Sequence, residues 1–97
     1  MGVKHGRDYE GILTDLTTAL NMIPDSYLFF QMSSEEWQAL NPDEQREVQE
    51  ALAEDLFYAL GSEPTIQVGS GIVIYAADTH RIDILIGETE MTFVSLI

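Results

Sequence analysis

The sequence predicts a single small α+β domain over residues 1–97, with N-terminal helices packed on one face of a C-terminal antiparallel sheet. Apolar residues recur at intervals of three and four before position 64 and alternate with polar residues after it. A chain of 97 residues can bury one hydrophobic core but not two. Because helices precede strands, a helix layer on a sheet is favoured over a wound α/β fold.

The first two helices are predicted over residues 8–23 and 34–40. In the first helix the apolar residues form one stripe, Asp8 can cap its start, and Pro24 ends it. The second helix is indicated by Ser33–Trp37, where a Ser is followed three residues later by a Glu. That spacing allows the two side chains to satisfy the free backbone N–H groups of a helix start.

The third helix is predicted over residues 42–60. Asn41 provides a cap, Pro42 suits the first helical position, and acidic residues follow in the first turn, where the helix dipole favours them. One wide side of this helix is expected to face the core. The apolar residues on that side are Val48, Leu52, Ala53, Leu56, Phe57, Ala59 and Leu60.

Residues 27–32 form a short apolar and aromatic run whose periodicity fits either a buried strand or a turn of buried helix. A short strand is the preferred interpretation. Phe29, Phe30 and Trp37 are expected to be core residues, because large aromatic side chains contribute most to a core when they are buried.

The sheet is predicted over residues 64–97 as an antiparallel meander of three or four strands. The strand candidates are 65–68, 72–77, 81–86 and 91–97, and the turns between them are 69–71, 78–80 and 87–90. Alternation within the third strand places three isoleucines on one face and Asp83 on the other, as expected of a sheet covered on one side. Those isoleucines are Ile82, Ile84 and Ile86.

Charge and composition exclude several classes of function. Four basic residues against 17 acidic ones give a net charge of −13, which disfavours direct contact with nucleic acid or an anionic membrane. The absence of cysteine excludes disulfides, Cys-based zinc sites and a thiol nucleophile. His5 and His80 are far apart in the sequence, and no metal or other cofactor is expected. The opening residues lack the apolar stretch of a secretory signal, so a cytoplasmic location is predicted.

Four carboxylates are predicted to form a row along the solvent side of the third helix. This acidic row consists of Asp43, Glu47, Glu50 and Glu54. The spacing of four, three and four residues places neighbours about 5 to 6 Å apart, where like charges reduce helix stability. Tyr58 follows one turn later and is expected beside the row as an aromatic contact residue. We therefore predict that the acidic row and Tyr58 bind a partner.

The predicted function is that of a non-enzymatic protein-binding or regulatory module whose partner has a basic surface. One version is an inhibitor whose carboxylates stand in for the phosphates of a nucleic acid. A solvated face that serves only solubility, and a cation site, are the other interpretations of the acidic row. The alternative function is a structural or assembly protein, which forms a homodimer or larger oligomer through the strand edge at Met91–Ile97.

Overall fold

The computed structural model describes residues 3–87 and 90–97 and confirms the predicted α+β class. Three α-helices precede a four-stranded antiparallel sheet. The helices are α1 (Tyr9–Leu20), α2 (Ser34–Gln38) and α3 (Pro42–Ala59), with a short 3-10 helix at Ser26–Phe30 between α1 and α2. The strands are β1 (Thr65–Val68), β2 (Gly71–Ala76), β3 (Arg81–Ile86) and β4 (Glu90–Ser95), with a 3-10 turn at Ala77–Thr79 between β2 and β3.

Helix α1 begins as predicted but is shorter at its C-terminal end. The Asp8 carboxylate accepts a hydrogen bond from the Gly11 backbone N–H at 3.0 Å, which caps the helix. The helix ends at Leu20 rather than at Ile23. The N–H of Ile23 donates to the Leu20 carbonyl, so the chain tightens into an i to i+3 turn before it reaches Pro24.

Both later helices begin with reciprocal caps; the sequence predicts the pair at Ser33 in full and, at the start of α3, the Asn41 cap. The Ser33 hydroxyl accepts from the Glu36 N–H, while the Glu36 carboxylate accepts from the Ser33 N–H. Asn41 and Glu44 form the same arrangement at the start of α3, with distances of 2.8 and 3.0 Å. Because the caps satisfy backbone donors locally, the starts of both helices could be predicted from the sequence.

The preferred strand at residues 27–32 is wrong, because Ser26–Phe30 is a 3-10 helix. Its backbone bonds are local, and its three aromatic side chains do not alternate between two faces as those of a strand would. Tyr27 stacks on Trp37, Phe29 packs at the edge of the core, and Phe30 is exposed. Ser26 is buried, and its hydroxyl accepts from the Gln49 amide at 2.9 Å, which fixes the segment on α3.

The sheet is a simple meander with the order β1-β2-β3-β4. The turn between β1 and β2 uses Gly69 at a φ of +57°. The predicted turn at 87–90 includes Glu88 and Thr89, which lie outside the described residues, as do Met1 and Gly2 at the start of the chain. The last predicted strand ran to Ile97, whereas β4 ends at Ser95.

The core lies between the helices and one face of the sheet. Ile82 and Ile84 are fully buried there and Ile86 is partly buried, while Asp83 lies on the opposite face, as the alternation predicts. The core assignment of two aromatic residues is wrong. Phe30 is 37% exposed, and Trp37 lies half-buried outside the core, stacked on Tyr27 with ring centroids 5.5 Å apart. Trp37 packs on Tyr27 rather than on the sheet, because the 3-10 helix directs Tyr27 toward α2.

The opposite side of the sheet, the outer sheet face, carries apolar side chains that solvent reaches. Met91 is 58% exposed and Phe93 is 52% exposed, and Ile72 also faces solvent. In the same face the Arg81 Nε lies 3.2 Å from the Asp83 carboxylate, as an ion pair without hydrogen-bond geometry. Within residues 3–87 and 90–97, no helix has the length and apolar character needed to cross a membrane.

Candidate partner-binding groove

The acidic row lies along the solvent-facing side of α3. All four of its carboxylate residues are exposed, and Tyr58 at its end is 57% exposed. In the described part of the chain, ion pairs form between Arg7 and Asp15 and between Arg81 and Asp83, and neither includes a member of the row. The row therefore presents to solvent carboxylates that form no ion pair within the described residues, although Arg46 lies one turn from both Asp43 and Glu50 on the same helix.

Helices α1 and α3 pack side by side in opposite directions. Tyr9, at the start of α1, contacts Phe57, near the end of α3, with ring centroids 5.0 Å apart in an edge-to-face arrangement. The two helices leave an open groove of about 740 Å³ between their exposed sides, and α2 closes one end of it. We call this feature the helix groove.

The charged side chains of the helix groove are three acids and one base. Glu50 and Glu54 belong to the acidic row, and Glu10 comes from α1. Arg46 lies toward the end that Trp37 and α2 close. The groove therefore has an excess of negative charge, and the excess is greatest at the end formed by the start of α1 and the end of α3.

The uncharged lining of the helix groove adds hydrogen-bond acceptors and apolar surface. The hydroxyls of Thr14, Thr17 and Thr18 each donate to a carbonyl one turn earlier in α1, at 2.7 to 3.0 Å. Because each hydroxyl already donates its one hydrogen to a carbonyl of α1, it can only accept hydrogen bonds from a ligand. Leu13, Trp37 and Pro42 supply the apolar part of the lining, and Asn21 and Gln45 add side-chain amides. The groove thus favours a ligand that carries donors and positive charge.

An aromatic recess of about 300 Å³ lies beside the acidic end of the helix groove. It is lined by Val3, His5, Tyr9, Phe57 and Tyr58. Burial raises the pKa of the Tyr9 hydroxyl, and the Tyr58 hydroxyl and the Glu54 charge raise it further. The negative charge of Glu54 is therefore felt in the recess as well as in the groove that Glu54 lines. Aromatic faces next to a carboxylate attract ammonium and guanidinium groups.

The structure brings together only part of the predicted site. Glu50 and Glu54 line the helix groove and Tyr58 lines the aromatic recess, whereas Asp43 and Glu47 lie on the same side of α3 but line neither. Sequence reasoning missed Glu10 and the threonines of α1, because nothing within one helix shows which other helix it will face. The spacing of the threonines by three and four residues was the available signal.

Residues 3–87 and 90–97 contain no group of three or more His, Asp or Glu side chains placed to hold a metal ion. Comparison with protein family models, with curated proteins and with solved structures gave no match. The helix groove and the aromatic recess are therefore the features from which a function can be inferred.

Proposed function

We propose that the protein is a non-enzymatic binding module that holds a Lys- or Arg-rich segment of another protein in the helix groove. The observation that carries this proposal is the position of Glu50 and Glu54 on the wall of a groove, where neither carboxylate forms an ion pair with another described residue. Glu10 faces them from α1. A basic side chain between the two helices would contact carboxylates on both sides.

The dimensions and chemistry of the groove support an extended segment as the ligand. A volume of about 740 Å³ accommodates several side chains, and the groove is open along its length. A lysine at the acidic end would reach the aromatic recess, where Tyr9 and Tyr58 can stabilise its ammonium group. The aliphatic parts of the basic side chains would pack on Leu13 and Trp37.

The proposal includes a regulatory role in the cytoplasm. A protein surface that binds phosphates of a nucleic acid carries spaced Lys and Arg side chains. The acidic row offers such a surface carboxylates about one helical turn apart. An inhibitor of this kind would occupy the basic surface and exclude the nucleic acid.

We would test the proposal by titrating the protein with a fluorescent oligolysine peptide. Replacing both groove acids, Glu50→Gln with Glu54→Gln, should weaken binding about 2- to 30-fold, because each exposed ion pair contributes about 0.2 to 1 kcal/mol. The matched control is Glu63→Gln with Asp78→Asn, two exposed acids outside the groove that give the same change in net charge. Binding should also weaken as salt increases.

Equal weakening in both double variants would contradict the proposal, because the peptide would then respond to net charge rather than to the groove. The same pair of variants can be used in affinity capture from a native cell extract. A protein retained by the wild type and by the control variant, but lost with the groove variant, would identify the partner.

A further inference from the structure

The two edges of the sheet are protected to different extents. Strand β1 has four residues, follows Pro64, and contacts the 3-10 helix at Ser26–Phe30. Strand β4 has six residues and contains neither proline nor lysine, the residues that commonly block the edge of a sheet. The edge formed by β4 is therefore the one suited to pairing with a further strand.

The backbone groups of β4 that point away from the sheet can be identified. The Leu96 N–H donates to the His80 carbonyl at 2.9 Å, and hydrogen-bonded residues alternate along an antiparallel pair. Residues 90, 92 and 94 therefore bond to β3, and Met91, Phe93 and Ser95 direct their backbone groups outward. The Ser95 carbonyl accepts from the Arg7 guanidinium at 3.1 Å. The outward groups available for pairing are thus those of Met91 and Phe93.

We propose that two copies of this chain pair through β4, antiparallel and centred on Thr92, to form one continuous eight-stranded sheet. In this register Met91 of each copy lies opposite Phe93 of the other, and their outward N–H and C=O groups form four main-chain hydrogen bonds. A register shifted toward the C-terminus would require the Ser95 carbonyl, which Arg7 already occupies. A centre at Thr92 uses the outward groups of both Met91 and Phe93 and leaves the Ser95 carbonyl bonded to Arg7.

The side chains of the outer sheet face fit the same register. Met91 of one copy would pack beside Phe93 of the other, and both residues are more than half exposed in the single chain. The Arg81 guanidinium lies over the Phe93 ring, 4.6 Å from its centroid, which holds the ring in the face. Pairing would therefore cover two large apolar side chains from each copy.

Charge explains why a second copy of so acidic a protein can approach at this edge. The outer sheet face holds Arg81 and Asp83 as an ion pair, so these two residues add no net charge to it. Glu90 is the charged residue of β4, and the register centred on Thr92 places it opposite Val94 rather than opposite another acid. The edge thus avoids the repulsion that the net charge of −13 imposes elsewhere.

Thr92→Cys tests the register directly, because the chain has no cysteine of its own. Position 92 of one copy would lie opposite position 92 of the other, in a non-hydrogen-bonded pair. The two Cα atoms would be about 4.5 Å apart, a distance that a disulfide can span. We expect mild oxidation to convert most of this variant to a covalent dimer. Gln67→Cys, on the exposed β1 edge, is the control and should remain monomeric. Equal crosslinking of the two variants would overturn the proposal.

Sedimentation velocity tests pairing without a crosslink. We expect the wild type to dimerise reversibly as its concentration rises toward about 1 mM, since small interfaces bind weakly. Salt should strengthen this association by screening the repulsion between copies, whereas it should weaken the binding of a basic peptide. Self-association and peptide binding are thus distinguished by the direction of the salt effect.

Two variants separate edge pairing from stacking of the outer sheet faces. Met91→Pro removes an outward N–H that β3 does not use, so it should abolish the dimer while the circular dichroism of the fold is retained. Ile72→Lys alters the outer sheet face two strands away and should dimerise like the wild type. A wild type that stays monomeric at about 1 mM in high salt, or a dimer lost only in Ile72→Lys, would refute edge pairing.

Discussion

At the scale of single residues, Asp25 connects the segment after α1 to the turn between β1 and β2. Its carboxylate accepts hydrogen bonds from the Ser70 backbone N–H and from the Ser70 hydroxyl, both at 2.8 Å. The backbone of Gly69 passes against Asp25 so closely that a Cβ at Gly69 would overlap the Asp25 carbonyl oxygen. This contact requires glycine for its lack of a side chain as well as for its positive φ.

Two glycines allow the effect of that contact to be measured. Gly69→Ala should lower the free energy of unfolding by at least about 2 kcal/mol, because it adds an overlap with Asp25 to the strain of a positive φ. Gly87 has a φ of +66° but no atom within 4 Å of a built Cβ, so Gly87→Ala should cost about 1 to 2 kcal/mol from strain alone. Urea denaturation of both variants measures the difference. Equal losses would show that strain accounts for both.

The Asp25 carboxylate should make stability depend on pH. Burial opposes its ionisation, but the two hydrogen bonds from Ser70 outweigh burial and hold the pKa of Asp25 below its ordinary value. Because the unfolded pKa is about 3.9, the contribution of the carboxylate is present above that pH and is lost as pH falls through the folded pKa. Asp25→Asn should therefore cost about 1 to 2 kcal/mol at neutral pH, and this cost should decrease as the pH falls through the folded pKa of Asp25.

Denaturation curves recorded from neutral to acidic pH test this expectation. Ser70→Ala removes one donor, so in that background the cost of Asp25→Asn at neutral pH should be smaller. A cost of Asp25→Asn that stays constant from pH 7 to about pH 2 would be inconsistent with a stabilising carboxylate.

At the scale of elements, α3 combines a strong start with an unfavourable charge distribution. The reciprocal cap of Asn41 and Glu44 stabilises its first turn, and its buried side chains hold it on the core. On the solvent side the acidic row places carboxylates one turn apart, and none of them forms an ion pair with another described residue. Repulsion between these carboxylates therefore lowers the stability of α3, and a single substitution can reduce that repulsion.

Glu47→Lys should raise the free energy of unfolding by about 0.5 to 1 kcal/mol. The new lysine would lie about one turn from Asp43 and Glu44 on one side and from Glu50 on the other, so it replaces three repulsions with three attractions. Thermal denaturation at low salt measures the gain, and Glu47→Gln, which only removes the repulsions, should give about half of it. No gain in stability from either substitution would mean that solvent already screens the repulsion between the carboxylates of the acidic row.

The elements differ in how much of them the sequence could predict. Helix starts and the sheet alternation depend on neighbours in the chain, so Asp8, Ser33 and Asn41 were identified as caps without the structure. The conformation of Ser26–Phe30 depends on partners far away in the sequence, such as Gln49. The apolar run at 27–32 has only six residues, too few for periodicity to separate a strand from a helical turn.

At the scale of the whole molecule, the helix groove arises from the packing of α1 on α3 and not from either helix alone. The acidic row and Tyr58 could be placed on one side of α3 from their spacing. The contribution of Glu10, and the fact that Glu50 lines the groove whereas Glu47 does not, could not be predicted in this way. Those facts depend on the direction in which α1 crosses α3, and the pattern within one helix does not contain that direction.

Net charge should govern the response of the molecule to salt. The chain carries a charge of −13, and the ion pairs of its described residues number two, so screening removes more repulsion than attraction. We expect the melting temperature to rise between about 10 and 300 mM NaCl, by about 4 to 8 °C for each 1 kcal/mol of relieved repulsion. Calorimetry at micromolar protein concentration keeps self-association out of the measurement. KCl should act like NaCl; a fall in melting temperature would contradict the expectation.

The contacts of residues 6 and 7 with β4 have a consequence for folding kinetics. The N–H groups of Gly6 and Arg7 donate to the Leu96 carbonyl, and the Arg7 side chain reaches Ser95, 88 positions away in the sequence. A contact between residues so far apart in the sequence forms only after a long loop has closed. The contacts of Gly6 and Arg7 with Ser95 and Leu96 should therefore be absent from the folding transition state. In stopped-flow experiments Arg7→Ala should speed unfolding and leave refolding almost unchanged. The lifetime of the native protein would then depend on how rapidly the contacts between the N-terminal segment and the C-terminal end of the chain break.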